Sequence, residues 1–500
     1  MNPYLSISII AAYFILIMLV SYFTSRHSGS ADFYRGGNKS PWWVVAFGMI
    51  GTTLSGVTFI SVPGWVSSPA KMTYFAVILG NFFGYLIIAQ LLLPLYYKLN
   101  LTSIYTYIEK RFGHRAYKTS ALFFLLSKTV GAAFRLFIVT LVLQIMICEP
   151  LGIPFFWNVS LSVFLIWAYT FKGGIKAIIW TDLVQTFFLI FAVVFTIFSI
   201  QKALGFTFPE TISHLYSSSQ AEIFDFTDPW SNPHNFFKQF IAGIFIAIVM
   251  NGLDQDMMQK NLSLKNIHEA KKNFLSFSLA FIPVNFIFLC LGVLFFIFMT
   301  QSGIPIPSKT DSIYPLLATH YLSPATGIFF TLGVIAAAFS SANSALIAMT
   351  TSFTVDIYGI ESRAESSQKK IRFYTHLANA IILILVILAF NAFNNQSVVY
   401  AIFKFAGYTY GPLLGLFFIG IFTKIRVKDK AIPYIACISV LFTVLLDYYS
   451  EILLNGYRFG FEILLVNGLI TLLGLCLFRR TGGRGFCAEK DISPETDILR

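Results

Sequence analysis

Thirteen apolar runs, each about 20 residues long, decide what this chain can become, because that is the length of helix needed to cross a hydrocarbon core. They fall at 4–24, 42–66, 72–97, 119–147, 152–170, 176–201, 234–253, 273–299, 325–352, 372–392, 398–422, 431–448 and 460–478. The runs are continuous rather than alternating, so spanning helices are expected and a β-barrel is not. Composition agrees. Of 500 residues, 56% are hydrophobic, 12% are charged and 55 are Phe, and the mean hydropathy is +0.73. Soluble chains carry about 25% charged residues. A cytosolic enzyme, a disordered chain and a secreted disulfide scaffold are excluded. An all-α polytopic membrane protein with 13 transmembrane helices is left, with the lipid bilayer as its solvent.

The net charge of +12 would raise nucleic acid as a partner of a soluble protein. Here the basic residues flank spans, and no nucleic acid is expected. Twenty-seven of the 35 Lys and Arg, Lys260 among them, lie in one alternate set of loops. Five lie in the other set (Lys71, Lys202, Lys238, Lys309 and Arg458), and Lys128, Arg135 and Lys404 fall within spans. The basic set is expected to be cytoplasmic. That places the N-terminus outside and the C-terminus inside, a parity that requires an odd number of spans. The first run lacks a preceding basic region and a small-residue cleavage site, so it is expected to be retained. Cys148, Cys290, Cys437, Cys476 and Cys487 show no metal-ligand spacing and read as small apolar fillers. The outside loop 202–233 and the tail after Phe478 are too short for a catalytic or signalling domain.

Polar residues are costly in lipid, so they are the informative ones. The second run reads AFGMIGTTLSGVTFISVPGW, with Gly48, Gly51, Gly56 and Pro63 interrupting it and Thr52, Thr53, Ser55 and Thr58 at its centre. Freed carbonyls and clustered hydroxyls suit a discontinuous helix lining a midplane site. Tight packing of small residues is the alternative. In the ninth run, Ala337, Ser340, Ser341 and Ser344 share one helix face beside Asn343. Small oxygen-bearing side chains there suit a hard cation, while serines bonded back to their own helix give the plainer reading. Asp182 lies about 9 Å along its helix from Lys176 and needs a cation, a base or a proton; Lys128 is the structural candidate. Arg135 lies deep in the fourth run, where a planar guanidinium suits a carboxylate. A structural pair is the other reading. Lys404 is shallow enough to snorkel.

A membrane-embedded enzyme would need paired acids, a His-rich metal motif or a Ser–His pair. The seven His lie at loops or span ends and no HExxH occurs, so no enzymatic activity is expected. A solute sensor would need an output domain. A proton-coupled transporter would keep Asp182 without needing the twin serines.

GGIKAIIWTD, DQDMMQKNL, AFSSANS followed by DIYG, and YGPLLGLFFIGIF, in this order, make the chain resemble the sodium:solute symporter family. The resemblance implies the LeuT fold, a 5+5 inverted repeat. Its parts would be 1–41 with an extra span, 42–201 as the first repeat, 202–233 as an extracellular loop, 234–422 as the second repeat, 423–478 with two further spans and 479–500 as a cytoplasmic tail. It implies Na+ as the coupling ion, held first by carbonyls of Gly51, Leu54 and Ala337 with the hydroxyls of Ser340 and Ser341. A second sodium, as in some relatives, would use Asp182, Ser340, Asn343 and Ser344, with Asn343 departing from the usual Ser/Thr. Likeness to bacterial sialic acid symporters implies Arg135 as the carboxylate anchor, assisted by Thr53, Ser55 and Thr58, with Asn81 near the sugar. Gly243 and Ala247 replace an aromatic and a polar wall residue, so a wider, less polar pocket is expected. The function implied is sodium-coupled import of a small solute across a bacterial inner membrane, an anionic sugar such as sialic acid. A neutral sugar or an amino acid remains the alternative solute.

Overall fold

The computed structural model describes residues 3–26, 30–171, 174–360, 363–393 and 398–479. Lys172, Arg480, Arg484, Cys487, Lys490, Arg500 and most of the expected tail lie outside the described residues. The architecture is helical, and the β pairing among the described residues is one isolated bridge, Val427 to Arg479. Backbone groups in lipid must be satisfied within their own segment, which a helix does.

In chain order the apolar runs form α1 (Pro3–Ser25), α2 (Trp42–Val66), α3 (Tyr74–Lys98), α4 (His114–Leu151), α5 (Phe155–Thr170), α6 (Gly174–Leu204) and α7 (Phe236–Gly252). A short α8 (Gln255–Asn261) follows, then α9 (Ile267–Gln301), α10 (Pro324–Tyr358), α11 (Glu365–Phe393), α12 (Val398–Phe422), α13 (Asp429–Tyr448) and α14 (Ile463–Leu477). Side chains of Asn235, Asp254, Asn266 and Ser323 accept hydrogen bonds at the starts of α7, α8, α9 and α10, meeting donors that a helix start leaves free. Ten helices among the described residues are long and apolar enough to cross a membrane, or eleven if α7 and α8 are one bent span; α5 and α14 are shorter apolar helices.

Which helices go inside follows from side-chain size and polarity. In the most apolar stretches of α2 and α10, 83% of residues are buried, against 22% in α1 and α11. Lipid tails are as apolar as Leu, so large apolar side chains gain little by turning inward, whereas small and hydroxylated ones gain close contacts. Gly51 shows the closeness. A Cβ there would lie 2.1 Å from Thr186 Oγ1 on α6.

Two breaks shape the centre. Ser55, within α2, has φ 41° and ψ 168°, so the helix is interrupted inside the Gly- and Thr-rich segment. Between α7 and α8 the chain bends by 67° at Leu253 and Asp254. Both interruptions border the same cavity.

Candidate functional site

The cavity lies among α2, α3, α4, α7, α9 and α12, with a water-accessible volume of ≈ 90 Å³. Thr53, Ser55 and Thr58 reach it from the interrupted part of α2, Asn81 from α3 and Arg135 from α4. Five residues from three separate parts of the sequence are thus brought to one wall. The Arg135 guanidinium makes no hydrogen bond or ion pair with any described residue, although it acts electrostatically on Tyr410 across the cavity. Thr53 Oγ1, Asn81 Oδ1 and Asn251 Oδ1 are buried, face no protein partner and belong to residues lining this space. Buried polar atoms without partners are costly. A polar, negatively charged guest would satisfy them together with the guanidinium.

Gly243 and Ala247 are elsewhere. Neither lines the cavity. Gly243 presses on α3, where a Cβ would lie 2.3 Å from Val77 O, and Ala247 Cβ lies 2.6 Å from where a Cβ on Gly84 would stand. Neither position therefore opens space in the cavity. Removing side-chain bulk lets α7 and α3 close together, and the space is filled by backbone.

Below Arg135 the cavity wall carries a second charged group. Lys128 Nζ lies 3.1 Å from both Asp254 carboxylate oxygens and 2.8 Å from Asp256 Oδ2. The Tyr410 hydroxyl donates to Asp254 Oδ2 at 2.8 Å. Lys128 is therefore committed to the α7–α8 break. It does not pair with Asp182, contrary to the structural reading of that acid. The DQDMMQKNL segment held the signal: two acids and a lysine in seven residues beside an apolar run.

The cation face lies where α2, α6 and α10 meet. Gly51, Leu54, Ala337, Ser340 and Ser341 are all buried. The non-helical backbone of Ser55 follows directly on Leu54, and a break of this kind can free carbonyls of the preceding turn. Ser341 Oγ donates to Ala338 O at 3.0 Å and Ser340 Oγ to Asp182 Oδ1 at 2.9 Å. With their protons committed, both hydroxyls present lone pairs. An all-oxygen set of this kind fits a small hard cation such as sodium.

Asp182 fits differently. It is fully buried, and Lys260 Nζ donates to its Oδ2 at 2.7 Å and to Thr52 Oγ1 at 2.5 Å. Thr52 Oγ1 is itself 3.0 Å from Oδ2, while Asn343 Nδ2 reaches Oδ1 at 3.4 Å and Ser344 Oγ reaches Oδ2 at 3.5 Å. Lys260 is 1% exposed, in a helix whose every residue is buried. This corrects its assignment to a cytoplasmic loop. A sodium ion about 4 Å from that ammonium would meet roughly 4 kcal/mol of repulsion at an effective dielectric constant of about 20. Asp182, Ser340, Asn343 and Ser344 do converge, but on a lysine. Lys404, read as a snorkelling residue, instead reaches Asp447 at 2.8 Å.

Residues 33–431 match the sequence profile of the sodium:solute symporter family. The sodium/sialic acid symporter NanT of Aliivibrio fischeri is 29% identical over 426 residues, covering 83% of this chain and 82% of that protein. The sodium/sialic acid symporter SiaT of Proteus mirabilis is 27% identical over 477 residues, covering 91% and 92%. A solved structure of a Na+-coupled sialic acid symporter, substrate-bound and outward-open, superposes with a TM-score of 0.81 at 23% identity, covering 94% of this chain and 97% of that one.

Proposed function

The chain belongs to the sodium:solute symporter family, and from that premise we propose that it imports an acidic sugar of the sialic acid class with sodium. The observation that carries this reading is the unpartnered Arg135 guanidinium, facing a cavity with the unsatisfied polar atoms of Thr53, Asn81 and Asn251. Arg135 binds the carboxylate by its planar fork. Thr53, Ser55 and Thr58 assist it, and Asn81 and Asn251 take sugar hydroxyls. The names of the two bacterial relatives support the same solute class.

Sodium enters from outside and is held by carbonyls of Gly51, Leu54 and Ala337 with Ser340 and Ser341. It draws α2 against α10, and because Thr53 and Ser55 belong to the same interrupted helix, sodium preorganises the solute wall. Solute then binds, the helices rearrange to open the opposite face, and sodium leaves into a low-sodium cytoplasm. The proposed topology is thirteen spans with the N-terminus outside, in a bacterial inner membrane. Interruption of both α2 and α7–α8 supports the inverted repeat 42–201 and 234–422, since each is the first span of its half.

Uptake into proteoliposomes of labelled sialic acid, other sugar acids, neutral sugars and amino acids, with sodium or choline outside, tests the reading. We expect sodium-dependent uptake restricted to acidic sugars and lost in Arg135→Ala. Equal uptake of a neutral sugar, or an unchanged KM for the acid in Arg135→Ala, overturns the anchor role.

A further inference from the structure

We infer that Lys260 is a built-in cation occupying the position expected for a second sodium ion, so that the transporter carries one sodium per cycle. The inference rests on the sodium-symport reading and narrows its stoichiometry.

Four observations point the same way. The ammonium binds Asp182 Oδ2, an oxygen of the expected second site, at 2.7 Å, and the adjoining Thr52 Oγ1 at 2.5 Å. The other groups around Asp182 are turned as donors toward it. Ser340 Oγ approaches at 2.9 Å, Asn343 Nδ2 at 3.4 Å and Ser344 Oγ at 3.5 Å. A carboxylate offers about four acceptor positions, so these donors saturate it. Asn343 turns its amide nitrogen rather than its oxygen to Asp182 Oδ1, and so meets the acid as a donor and not as a fellow cation ligand. Charge agrees: one ammonium neutralises one buried carboxylate, so Asp182 brings no net negative charge to the second position.

Lys260 is also fixed in place. Its backbone carbonyl accepts from Ser263 Oγ at 2.6 Å, and neighbouring Gln259 donates to Tyr34 O at 2.9 Å and Thr351 Oγ1 at 3.1 Å. The short helix holding it is buried among α2, α6 and α10. A tethered cation of this kind changes the energetics of transport. One sodium with a monoanionic solute moves no net charge, so the membrane potential would not drive uptake.

The experiment is equilibrium binding of ²²Na+ to the purified full chain in nanodiscs, counted per protein without solute. We expect one ion in the wild type and one in Lys260→Arg. Lys260→Met, which keeps the side-chain length without the charge, should bind two, and adding Asp182→Asn should return the count to one. A wild-type count of two, or a Lys260→Met count that does not exceed the wild type by one, overturns the inference. The wild-type count is decisive even where Lys260→Met folds poorly. Ser341→Ala separates the two readings: it should remove the single wild-type ion. If it leaves that ion bound, the twin-serine site is wrong, while the gain of one ion in Lys260→Met still decides the role of Lys260.

Discussion

Lys128 is 5% exposed and meets two aspartates, Asp254 and Asp256; Lys260 is 1% exposed and meets one, Asp182, in a ring of neutral donors. The first group borders the cavity at the α7–α8 break. The second lies where α2, α6 and α10 meet, among the cation-face residues. One lysine between two acids leaves a formal negative charge in the group. One lysine against one acid leaves none. The difference teaches that a buried lysine is read by its neighbours' charge count and not by its depth. The same change at each lysine therefore has different consequences.

The largest expected effect is at Lys128. Lys128→Met strands two carboxylates in a buried site, and breaking a buried pair from one side costs about 3–5 kcal/mol. Lys260→Met strands one carboxylate that keeps its neutral donors and gains room for sodium. Thermal unfolding in nanodiscs, in sodium and in choline, separates them. We expect Lys128→Met to be destabilised equally in both. Lys260→Met should be destabilised in choline and recover in sodium, by about 2.7 kcal/mol when sodium reaches about a hundred times its dissociation constant. A sodium-independent loss at both positions would make the two groups equivalent structural pairs.

The sequence made the spans legible because a length of about 20 apolar residues has few other uses. That Arg135 lies inside the bundle was legible from its depth in a run, and that Ser340 and Ser341 are buried on α10 from the small-residue pattern around them. The partners of Asp182 were not. Lys260 sits in a short polar segment that reads as a loop, and its burial is created by the 67° bend that turns α8 inward. No local pattern encodes that angle, so Lys128, a basic residue already inside a span, looked like the better partner. Gly243 misled for a related reason. Loss of an aromatic side chain suggests empty space only if the backbones stay put, and here a Cβ on Gly243 would lie 2.3 Å from Val77 O on α3.

A middle-sized effect is expected at Tyr410. Its hydroxyl is one of the two partners that hold Asp254 Oδ2, the other being Lys128. Tyr410→Phe removes one hydrogen bond to a charged group, worth about 1.5–3 kcal/mol, while the ion pair remains. Melting in nanodiscs should show a loss smaller than that of Lys128→Met and the same in sodium and choline. The two changes act on one carboxylate, so the double variant should be less than additive. Strict additivity would mean that the hydroxyl and the ammonium do not share Asp254, which would break the description of this cluster as a single network.

The smallest effect is expected at Lys404, which has the same chemistry at the periphery. Lys404 Nζ lies 2.8 Å from Asp447 Oδ2, but its side chain is 34% exposed. Asp447 also accepts from the Tyr408 hydroxyl, so it keeps a partner when the lysine is lost. Asp447 is 7% exposed but the lysine reaches solvent, which places the pair near the surface range of about 0.2–1 kcal/mol, and Lys404→Met retains the aliphatic stem that covers neighbouring apolar surface. Melting of Lys404→Met should fall within that range, with uptake unchanged. If this variant lost as much stability as Lys128→Met, exposure would not rank these ion pairs, and the contrast between buried and peripheral lysines would have to be replaced by one based on local hydrogen bonding.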